Sequence, residues 1–383
     1  MTAVSLVLIG WSVSAAVWWL VARWLLAAAN RKAGEVAVAA PSLGLSIFKA
    51  IPRGLGEAAY AQLEAAMESF VAQMDERSEI LVGVPQEQAG PWQRVIERWS
   101  RTNPKARIKT VCRRAPEHRA NPKIGWMEIL AGQADADYWL WSDADIIAPD
   151  GLLNSIRQGL AEGCGVVTCA YRVRNVSAAI GALDALFVDA EFLPGVLLLG
   201  RRGTSASAFG AAVAFPAKRF KERVSWDELG GCLADDFLIG QRMGPVRLCP
   251  VIVETIALQT RILPALRHYY RWHKTLRWCR PLSYASMLSI LPLLGWLVAI
   301  AFSPSWWVAW IGFVGQWAFE VLVAMASLSA IGCRYPRTAW WVLGLWPVIR
   351  CVTWAATWFP ISVVWEGARE RWSNAGISRP RDG

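Results

Sequence analysis

Long apolar segments at the two ends of the chain are the feature that most restricts what it can fold into. Ala3 to Ala22 is uncharged and long enough to cross the hydrocarbon core of a bilayer. Arg23, Arg31 and Lys32 follow this run and no positive charge precedes it, which favours a membrane anchor over a cleaved signal peptide. The positive-inside rule then predicts an N-terminus outside and a following domain in the cytoplasm.

The C-terminal part contains three further apolar segments. Residues 284–302 and 306–331 are joined by a short uncharged loop and predict a transmembrane hairpin. Residues 338–365 contain prolines and precede a basic tail, so we expect a kinked or re-entrant segment that keeps the tail in the cytoplasm. Glu320 and Arg350 lie inside these segments, where they either line a path for an acceptor or pair with each other.

The overall composition agrees with a membrane protein that has a soluble middle. Hydrophobic residues make up 55% of the 383, above the usual share in soluble domains. The net charge of +10 comes from basic residues that flank the apolar segments, and no zinc-finger or homeodomain-like motif is present, so nucleic acid is not a predicted partner. The eight cysteines form no CxxC pair, which argues against a zinc site and predicts a reducing compartment.

The middle of the chain alternates short apolar runs with helix-like segments. The runs predict strands at 43–49, 79–84, 107–112, 138–142, 165–171 and 208–215. The helix-like segments are 56–74, 91–101, 124–134 and 149–161. This alternation is typical of an α/β fold with a mostly parallel sheet covered by helices on both faces. No P-loop or GxGxxG follows the first strand, which argues against an ATPase, a kinase or a Rossmann dehydrogenase.

Two pairs of acids are candidate functional residues. Asp143 and Asp145 directly follow the predicted strand 138–142, and ligands bind beyond the carboxyl ends of such strands. Their side chains point to the same side of an extended chain, so they lie either on an open turn or around a cation. Asp235 and Asp236 begin a helix-like stretch, where acids also favour the first helical turn.

A segment rich in basic and aromatic residues follows, from Arg261 to Arg280. Arg267, Arg271 and Lys274 share one helical face. The pattern predicts an interfacial helix beside lipid headgroups, or a clamp in which arginine grips diphosphate oxygens. The two interpretations are compatible, because one segment can border both the membrane and an active site.

Taken in chain order, these motifs resemble family 2 glycosyltransferases, and within them the ceramide glucosyltransferase-like branch that includes bacterial enzymes of hopanoid and glycolipid synthesis. The likeness covers nearly the whole chain. Each motif alone is common, and their order between apolar segments is what makes the resemblance specific. The motifs are SIFK ending at Lys49, Asn121-Pro122-Lys123, Asp143-Ala144-Asp145, Phe209-Gly210, Gly230-Gly231, Leu233-Ala234-Asp235-Asp236 and His268-Tyr269-Tyr270-Arg271-Trp272.

Two positions depart from the family pattern. His268 stands where the family has Gln or Arg. Gln86 stands where the family has an acid that helps hold the nucleotide base, and Glu87 follows it. A glutamine amide can donate to and accept from a uracil edge, so this departure bears on nucleotide preference.

The resemblance implies an integral membrane enzyme whose GT-A-type α/β domain lies on the cytoplasmic side of a bacterial inner membrane. It implies transfer of a hexose from a UDP-sugar to a ceramide- or hopanoid-type lipid with inversion, Asp236 being the catalytic base. Mg²⁺ or Mn²⁺ would be held by Asp143 and Asp145. The residues implied to contact the nucleotide-sugar are Lys49, Gln86, Lys123, Asp143, His268, Arg271 and Trp272.

The implied domain boundaries are an anchor at 1–29, a GT-A-type domain at 30–260, an interfacial segment at 261–283, a transmembrane region at 284–365 and a basic cytoplasmic tail at 366–383. Expected partners are the lipid bilayer, a lipid acceptor and a nucleotide-sugar donor. Two alternatives remain open: a processive polysaccharide synthase, and a non-catalytic membrane protein that binds nucleotide-sugars. The sequence does not predict the oligomeric state.

Overall fold

The computed structural model describes residues 3–32, 41–53, 57–114, 116–201, 203–205, 207–257, 259–361, 363–365, 368–372 and 378–379. The chain divides into two compact units. The helical unit comprises Met1–Lys32, Val173–Leu197 and Ala257–Ala375. The α/β unit comprises Ala33–Arg172, Leu198–Ile256 and Gly376–Gly383. The basic tail predicted at 366–383 lies largely outside the described residues.

The strands, in chain order, are β1 Leu45–Ala50, β2 Ser78–Pro85, β3 Arg107–Arg113, β4 Tyr138–Ser142, β5 Ile146–Ile147, β6 Val166–Thr168, β7 Tyr171–Val173, β8 Thr204–Ser205, β9 Ala212–Pro216, β10 Val246–Leu248, β11 Val253–Thr255, β12 Val363–Trp365, β13 Ala368–Trp372 and β14 Ser378–Arg379.

The α-helices, in chain order, are α1 Ala3–Lys32, α2 Glu57–Val71, α3 Ala89–Thr102, α4 Pro122–Ala131, α5 Leu152–Ala161, α6 Ala182–Ala185, α7 Leu193–Gly200, α8 Ala217–Arg223, α9 Trp226–Gly230, α10 Asp235–Met243, α11 Ile262–Cys279, α12 Pro281–Ser286, α13 Pro292–Phe302, α14 Trp306–Ile331 and α15 Trp340–Ala356. A π-helical segment, Leu186–Phe192, connects α6 to α7.

The α/β unit is built on an eight-stranded sheet in the order β3-β2-β1-β4-β9-β6-β10-β8. The pairs among β3, β2, β1 and β4 are parallel, and β9 and β8 run antiparallel to their neighbours. Side chains alternate across the sheet, so Ile47 packs into the core on one face while Phe48 packs into the core on the other. The α/β fold with a mostly parallel sheet, covered on both faces, is confirmed.

Two predicted strands differ in extent from those observed. Residues 165–171 form two short strands, β6 and β7, and the strand predicted from 208 begins at Ala212. The backbone N–H of Phe209 donates to the side-chain oxygen of Thr168 at 2.8 Å, so this residue is held by a side chain before strand pairing begins. The apolar run thus begins before the backbone enters the sheet.

The helical unit contains helices suited to a membrane. Among the described residues, three are long and apolar enough to cross one: Val4–Arg31, Trp306–Ile331 and Arg337–Ala356. A fourth candidate, Pro281–Ile290 with Pro292–Phe302, is bent by 61°. The bend lies in the segment expected to be a plain span, where Leu291 is not helical and Pro292 starts a new helix. Pro347, expected to mark a kink, lies inside one helix, α15.

Two acids inside the helical unit whose side chains are buried, Glu320 and Glu191, have polar partners. Arg350 Nη2 lies 2.7 Å from Glu320 Oε2, and both side chains are fully buried. Glu191, on the π-helical segment, accepts from Trp346 Nε1 at 2.9 Å and from the hydroxyl of Tyr269. Glu320 and Arg350 were expected either to line a path for an acceptor or to pair with each other, and the structure shows the ion pair.

Candidate functional site

Lys49 stands at the edge of the sheet where the parallel strands end. It lies near the end of β1, which pairs with β4, so its ammonium reaches the end of that neighbouring strand. Lys49 Nζ donates to Ser142 Oγ at 3.0 Å and to the main-chain oxygen of Asp143 at 2.8 Å. Burial lowers the pKa of Lys49 to about 7, although Asp143 and Asp145 oppose the shift. Lys49 thus fixes the turn that carries the first acid pair.

Asp143 and Asp145 follow β4 on this turn. The backbone N–H of Asp143 donates to the oxygen of Ala211, just before β9, at 3.3 Å. Asp145 Oδ2 accepts from Thr255 Oγ1 at 3.0 Å, and β11, which ends at Thr255, pairs with the short strand β5. Burial and the charge of Asp143 raise the pKa of Asp145 to about 6. The turn therefore presents two carboxyl groups, of which Asp145 is partly buried and has a raised pKa.

Asn121 connects helix α4 to the second acidic motif. Its Oδ1 accepts from the backbone N–H groups of Lys123 and Ile124, at 3.1 and 3.4 Å, and so caps the helix. Its Nδ2 donates to the oxygen of Cys232 at 3.0 Å, and its backbone N–H donates to the oxygen of Gly230 at 2.9 Å. One side chain therefore positions both the start of α4 and the loop that leads to Asp235.

Lys123 joins the two acidic motifs. Its ammonium lies 2.8 Å from Asp143 Oδ1 and 3.3 Å from Asp235 Oδ2. Burial by itself lowers the pKa of Lys123, but the charges of Asp143 and Asp235 outweigh it and raise the pKa above its ordinary value. Lys123 is therefore cationic at neutral pH. The structure brings together Asp143, Asp235 and Lys123.

Asp236 lies beside this bridge, in the first turn of α10. Its Oδ1 accepts from the backbone N–H of Phe237 at 2.8 Å. A Cβ placed on Gly210 would lie 3.3 Å from Asp236 Oδ2, so the glycine leaves room beside this oxygen. Burial and the charge of Asp235 raise the pKa of Asp236 to about 7. A carboxylate with this pKa suits proton transfer at neutral pH.

The charges of the site favour a divalent cation. Acidic side chains outnumber lysines in this site by two: Asp143, Asp145, Asp235 and Asp236 against Lys49 and Lys123. In the part of the chain that the structure describes, no three His, Cys, Asp or Glu side chains are grouped to hold a metal by themselves. Two carboxylates with phosphate and water oxygens are a usual set for Mg²⁺, so the residues present fit such an ion.

Gln86 lies at the same edge of the sheet. It begins a short 3₁₀ turn, Gln86–Gln88, directly after β2, and both Gln86 and Glu87 are exposed. Gln88 Nε2 donates to the oxygen of Pro52 at 2.9 Å, which fixes the end of this turn. The amide of Gln86 is thus available at the carboxyl end of β2, the neighbour of β1.

His268, Arg271 and Trp272 belong to the other unit, on α11. His268 Nδ1 lies 3.3 Å from Asp184 Oδ1. The ring of Trp272 stacks on Phe187, with centroids 4.5 Å apart, and its centroid lies 4.0 Å from that of the His268 ring. The motif is therefore an ordered group within the helical unit.

Sequence reasoning missed several residues that form these groups. Thr255 holds Asp145, Gly210 leaves room for Asp236, and Asp184 pairs with His268. Phe209-Gly210 was part of a quoted motif, which was a usable signal for Gly210. Thr255 and Asp184 stand in no motif, and each lies more than 80 positions from its partner in the sequence.

The family model of glycosyl transferase family 21 matches residues 3–376. The chain belongs to glycosyl transferase family 21. This family is ceramide glucosyltransferase-like and of GT-A type, so the resemblance to that branch is confirmed, and placement in the family 2 superfamily agrees with it. The activity is accordingly that of a glycosyltransferase that uses a nucleotide-sugar. A comparison with curated proteins gives no match.

Several solved structures are similar to this family 21 chain at low sequence identity. The mannosyltransferase PcManGT from Pyrobaculum calidifontis, in complex with GDP-Man and Mn²⁺, is 14% identical over 92% of this chain and 99% of its own, with a TM-score of 0.48. S. aureus TarS 1-349 is 10% identical over 88% and 98%, with a TM-score of 0.36. GalNAc-T7 with UDP, GalNAc and Mn²⁺ is 12% identical over 63% and 51%, with a TM-score of 0.39.

Proposed function

We propose that this family 21 chain transfers a hexose from a UDP-sugar to the hydroxyl of a ceramide- or hopanoid-type lipid, with inversion at the anomeric carbon. The observation that carries the proposal is Asp236. Its pKa of about 7 and its place beside the two-carboxylate turn make it a suitable base for a neutral hydroxyl.

The donor diphosphate is proposed to bind at the turn of Asp143 and Asp145. A bound Mg²⁺ or Mn²⁺ would neutralise negative charge on the departing diphosphate. Lys49 keeps the turn in place through Ser142 Oγ and the main-chain oxygen of Asp143. In this proposal Lys123 contributes a second positive charge, and the exposed amide of Gln86 contacts the nucleotide base.

The two neighbouring aspartates are proposed to have different roles. Asp235 lies 3.3 Å from the Lys123 ammonium, and this ion pair makes it a holder of that lysine. Asp236 Oδ2 lies beside Gly210, where a hydroxyl has room to approach. Asp236 takes the proton of the acceptor hydroxyl as its oxygen attacks the anomeric carbon. Attack opposite to the leaving diphosphate inverts the configuration in a single displacement.

The acceptor is proposed to reach the enzyme from the bilayer, because the chain has up to four helices that could cross a membrane among its described residues. Nucleotide-sugars are made in the cytoplasm, and Arg23, Arg31 and Lys32 after the first apolar segment favour a cytoplasmic α/β unit on a bacterial inner membrane. Contacts of His268, Arg271 and Trp272 with the diphosphate remain a prediction from the sequence.

A transfer assay tests the proposal. The full-length protein in lipid nanodiscs is incubated with Mn²⁺, radiolabelled UDP-hexoses and a total bacterial lipid extract, and label is followed into small extractable lipids. Wild-type protein is expected to label one lipid class, and Asp236→Asn is expected to lower the rate by about 10²- to 10⁴-fold. Asp227→Asn is the matched control, because that carboxylate is 87% exposed and should leave the rate nearly unchanged.

Three results of this assay would contradict parts of the proposal. Full activity of Asp236→Asn would exclude this residue as the base. Label in a polymer would indicate the processive synthase. Binding of UDP without transfer from any donor would indicate a non-catalytic binder.

A further inference from the structure

Lys123 occupies a position that a bound metal and a bound diphosphate would each change. Its ammonium is within ion-pair distance of one acid from each motif, Asp143 at 2.8 Å and Asp235 at 3.3 Å. The Lys123 side chain is 22% exposed and that of Asp143 is 40% exposed, so the bridge is open to a ligand from one side. The bridge uses Asp143 Oδ1, one of the two oxygens that Asp143 can offer to the proposed metal site.

The position of Lys123 in its helix is electrostatically unusual. It lies in the first turn of α4, where the helix dipole favours anions over cations. The backbone N–H groups of Lys123 and Ile124 are already bound by Asn121 Oδ1, so the side-chain ammonium is what this end of the helix offers to an anion. A lysine held here by two acids can leave them when an anion of higher charge arrives.

Lys49 is not placed to leave its partners and bind an anion. Its side chain is fully buried, and its ammonium is bound by Ser142 Oγ and by the main-chain oxygen of Asp143. These bonds hold the backbone of the turn, whereas Lys123 contacts the carboxylate of Asp143 itself. Of the two lysines, Lys123 is the one placed to exchange partners.

We propose that Lys123 is an exchangeable counter-ion. In the donor-free protein its ammonium pairs with Asp143 and Asp235, and when the donor binds it moves to the diphosphate and frees Asp143 for the divalent cation. The inference rests on the proposed function and adds an ordered coupling to it. Metal alone binds weakly because Lys123 competes for Asp143, and nucleotide strengthens metal binding because it draws the lysine away.

The first measurement is the affinity for Mn²⁺ without nucleotide, read from the electron paramagnetic resonance signal of free Mn²⁺ with full-length protein in detergent. Lys123→Met is expected to bind Mn²⁺ at least about tenfold more tightly than wild type, because a positive charge next to the site is removed. Lys123→Arg keeps the charge and should resemble wild type.

Lys109→Met is the matched control for this exchange. Lys109 also bridges two acids, with Nζ 2.8 Å from Glu79 Oε2 and 2.8 Å from Asp135 Oδ2, but it lies on β3 at the outer end of the sheet. Its replacement should leave Mn²⁺ affinity unchanged. Lys123→Gln gives the same comparison if Lys123→Met does not fold, as judged by thermal unfolding.

The second measurement is the affinity for UDP at saturating Mn²⁺. Lys123→Met is expected to bind UDP about tenfold more weakly, because the diphosphate loses one charge-assisted contact. Opposite changes in the two affinities are the signature of exchange, since general damage to the site would weaken both. Unchanged or weaker Mn²⁺ binding by both uncharged variants would overturn the inference.

The outcomes separate this inference from the proposed function. A wild-type protein that transfers sugar, with variants whose Mn²⁺ affinity does not rise, overturns the exchange and leaves the function standing. A wild-type protein that binds Mn²⁺ and UDP as described but transfers no sugar overturns the function and leaves the exchange standing.

Discussion

Two clusters of buried ionisable groups in this protein differ in their access to solvent. In the helical unit Arg350 lies 2.7 Å from Glu320, both side chains are fully buried, and the buried carboxyl group of Glu191 adds a second acid near Arg350. Gln316 Nε2 donates to the second oxygen of Glu320 at 2.9 Å. In the α/β unit four acidic side chains face two lysines, and Asp143 keeps 40% of its side chain exposed.

The difference indicates which cluster is structural and which one binds a ligand. A pair that is closed to solvent offers no charge to a ligand. In the partly exposed cluster, burial and neighbouring negative charge raise the pKa values of Asp145 and Asp236, and a cation from solvent would stabilise their ionised forms. Acids that have raised pKa values and are also accessible to solvent therefore indicate function here. The presence of ionisable residues in an apolar segment is a weaker sign of function.

We expect the greatest loss of stability when the buried ion pair of Glu320 and Arg350 is disrupted. Glu320→Gln removes the carboxylate that Arg350 contacts directly, which leaves only the weaker attraction of Glu191, and it should lower stability by up to about 3–5 kcal/mol. Thermal unfolding in detergent measures the loss. The double variant Glu320→Leu with Arg350→Met removes both charges and should recover most of the stability, with UDP affinity unchanged in both variants. A single variant as stable as wild type would show that the pair is not a structural element.

The pH dependence of the transfer rate tests the role of Asp236 in the partly exposed cluster. Asp236 acts as a base only when unprotonated, and its pKa is raised to about 7, so kcat/KM should fall by about tenfold per pH unit below that value and level off above it. A bound divalent cation should lower the pKa of Asp236, so that kcat/KM begins to fall at a lower pH. Lys123→Met should move this fall to higher pH, because the charge of Lys123 lowers the pKa of Asp236. Rates independent of pH between about 5 and 8 would exclude Asp236 as the titrating base.

The sequence predicted the parts of the molecule that depend on local pattern. Alternating strands and helices predicted the mostly parallel sheet, and the position of Asp143 directly after a strand predicted its place at the carboxyl edge. The order of the motifs predicted the ceramide glucosyltransferase-like branch, and the match of residues 3–376 to glycosyl transferase family 21 confirms that branch.

Features that depend on tertiary contact could not be read from the sequence. Lys123 was expected to contact nucleotide, but nothing local indicated that its ammonium bridges Asp143 and Asp235. The bend in the helical unit occurs where Pro292 starts a helix after a non-helical residue, whereas Pro347 is accommodated inside α15. A proline marks a possible break, and packing decides which proline becomes one.

The most direct test of the central claim, that the acid-rich cluster needs a divalent cation to hold a donor diphosphate, is the affinity of the wild-type protein for UDP before and after removal of divalent metal by a chelator. We predict that UDP binding weakens by at least about tenfold, a loss of about 1.4 kcal/mol, and is restored by Mn²⁺. Equal affinity with and without metal would contradict this claim and would favour a metal-independent binder of nucleotide-sugars.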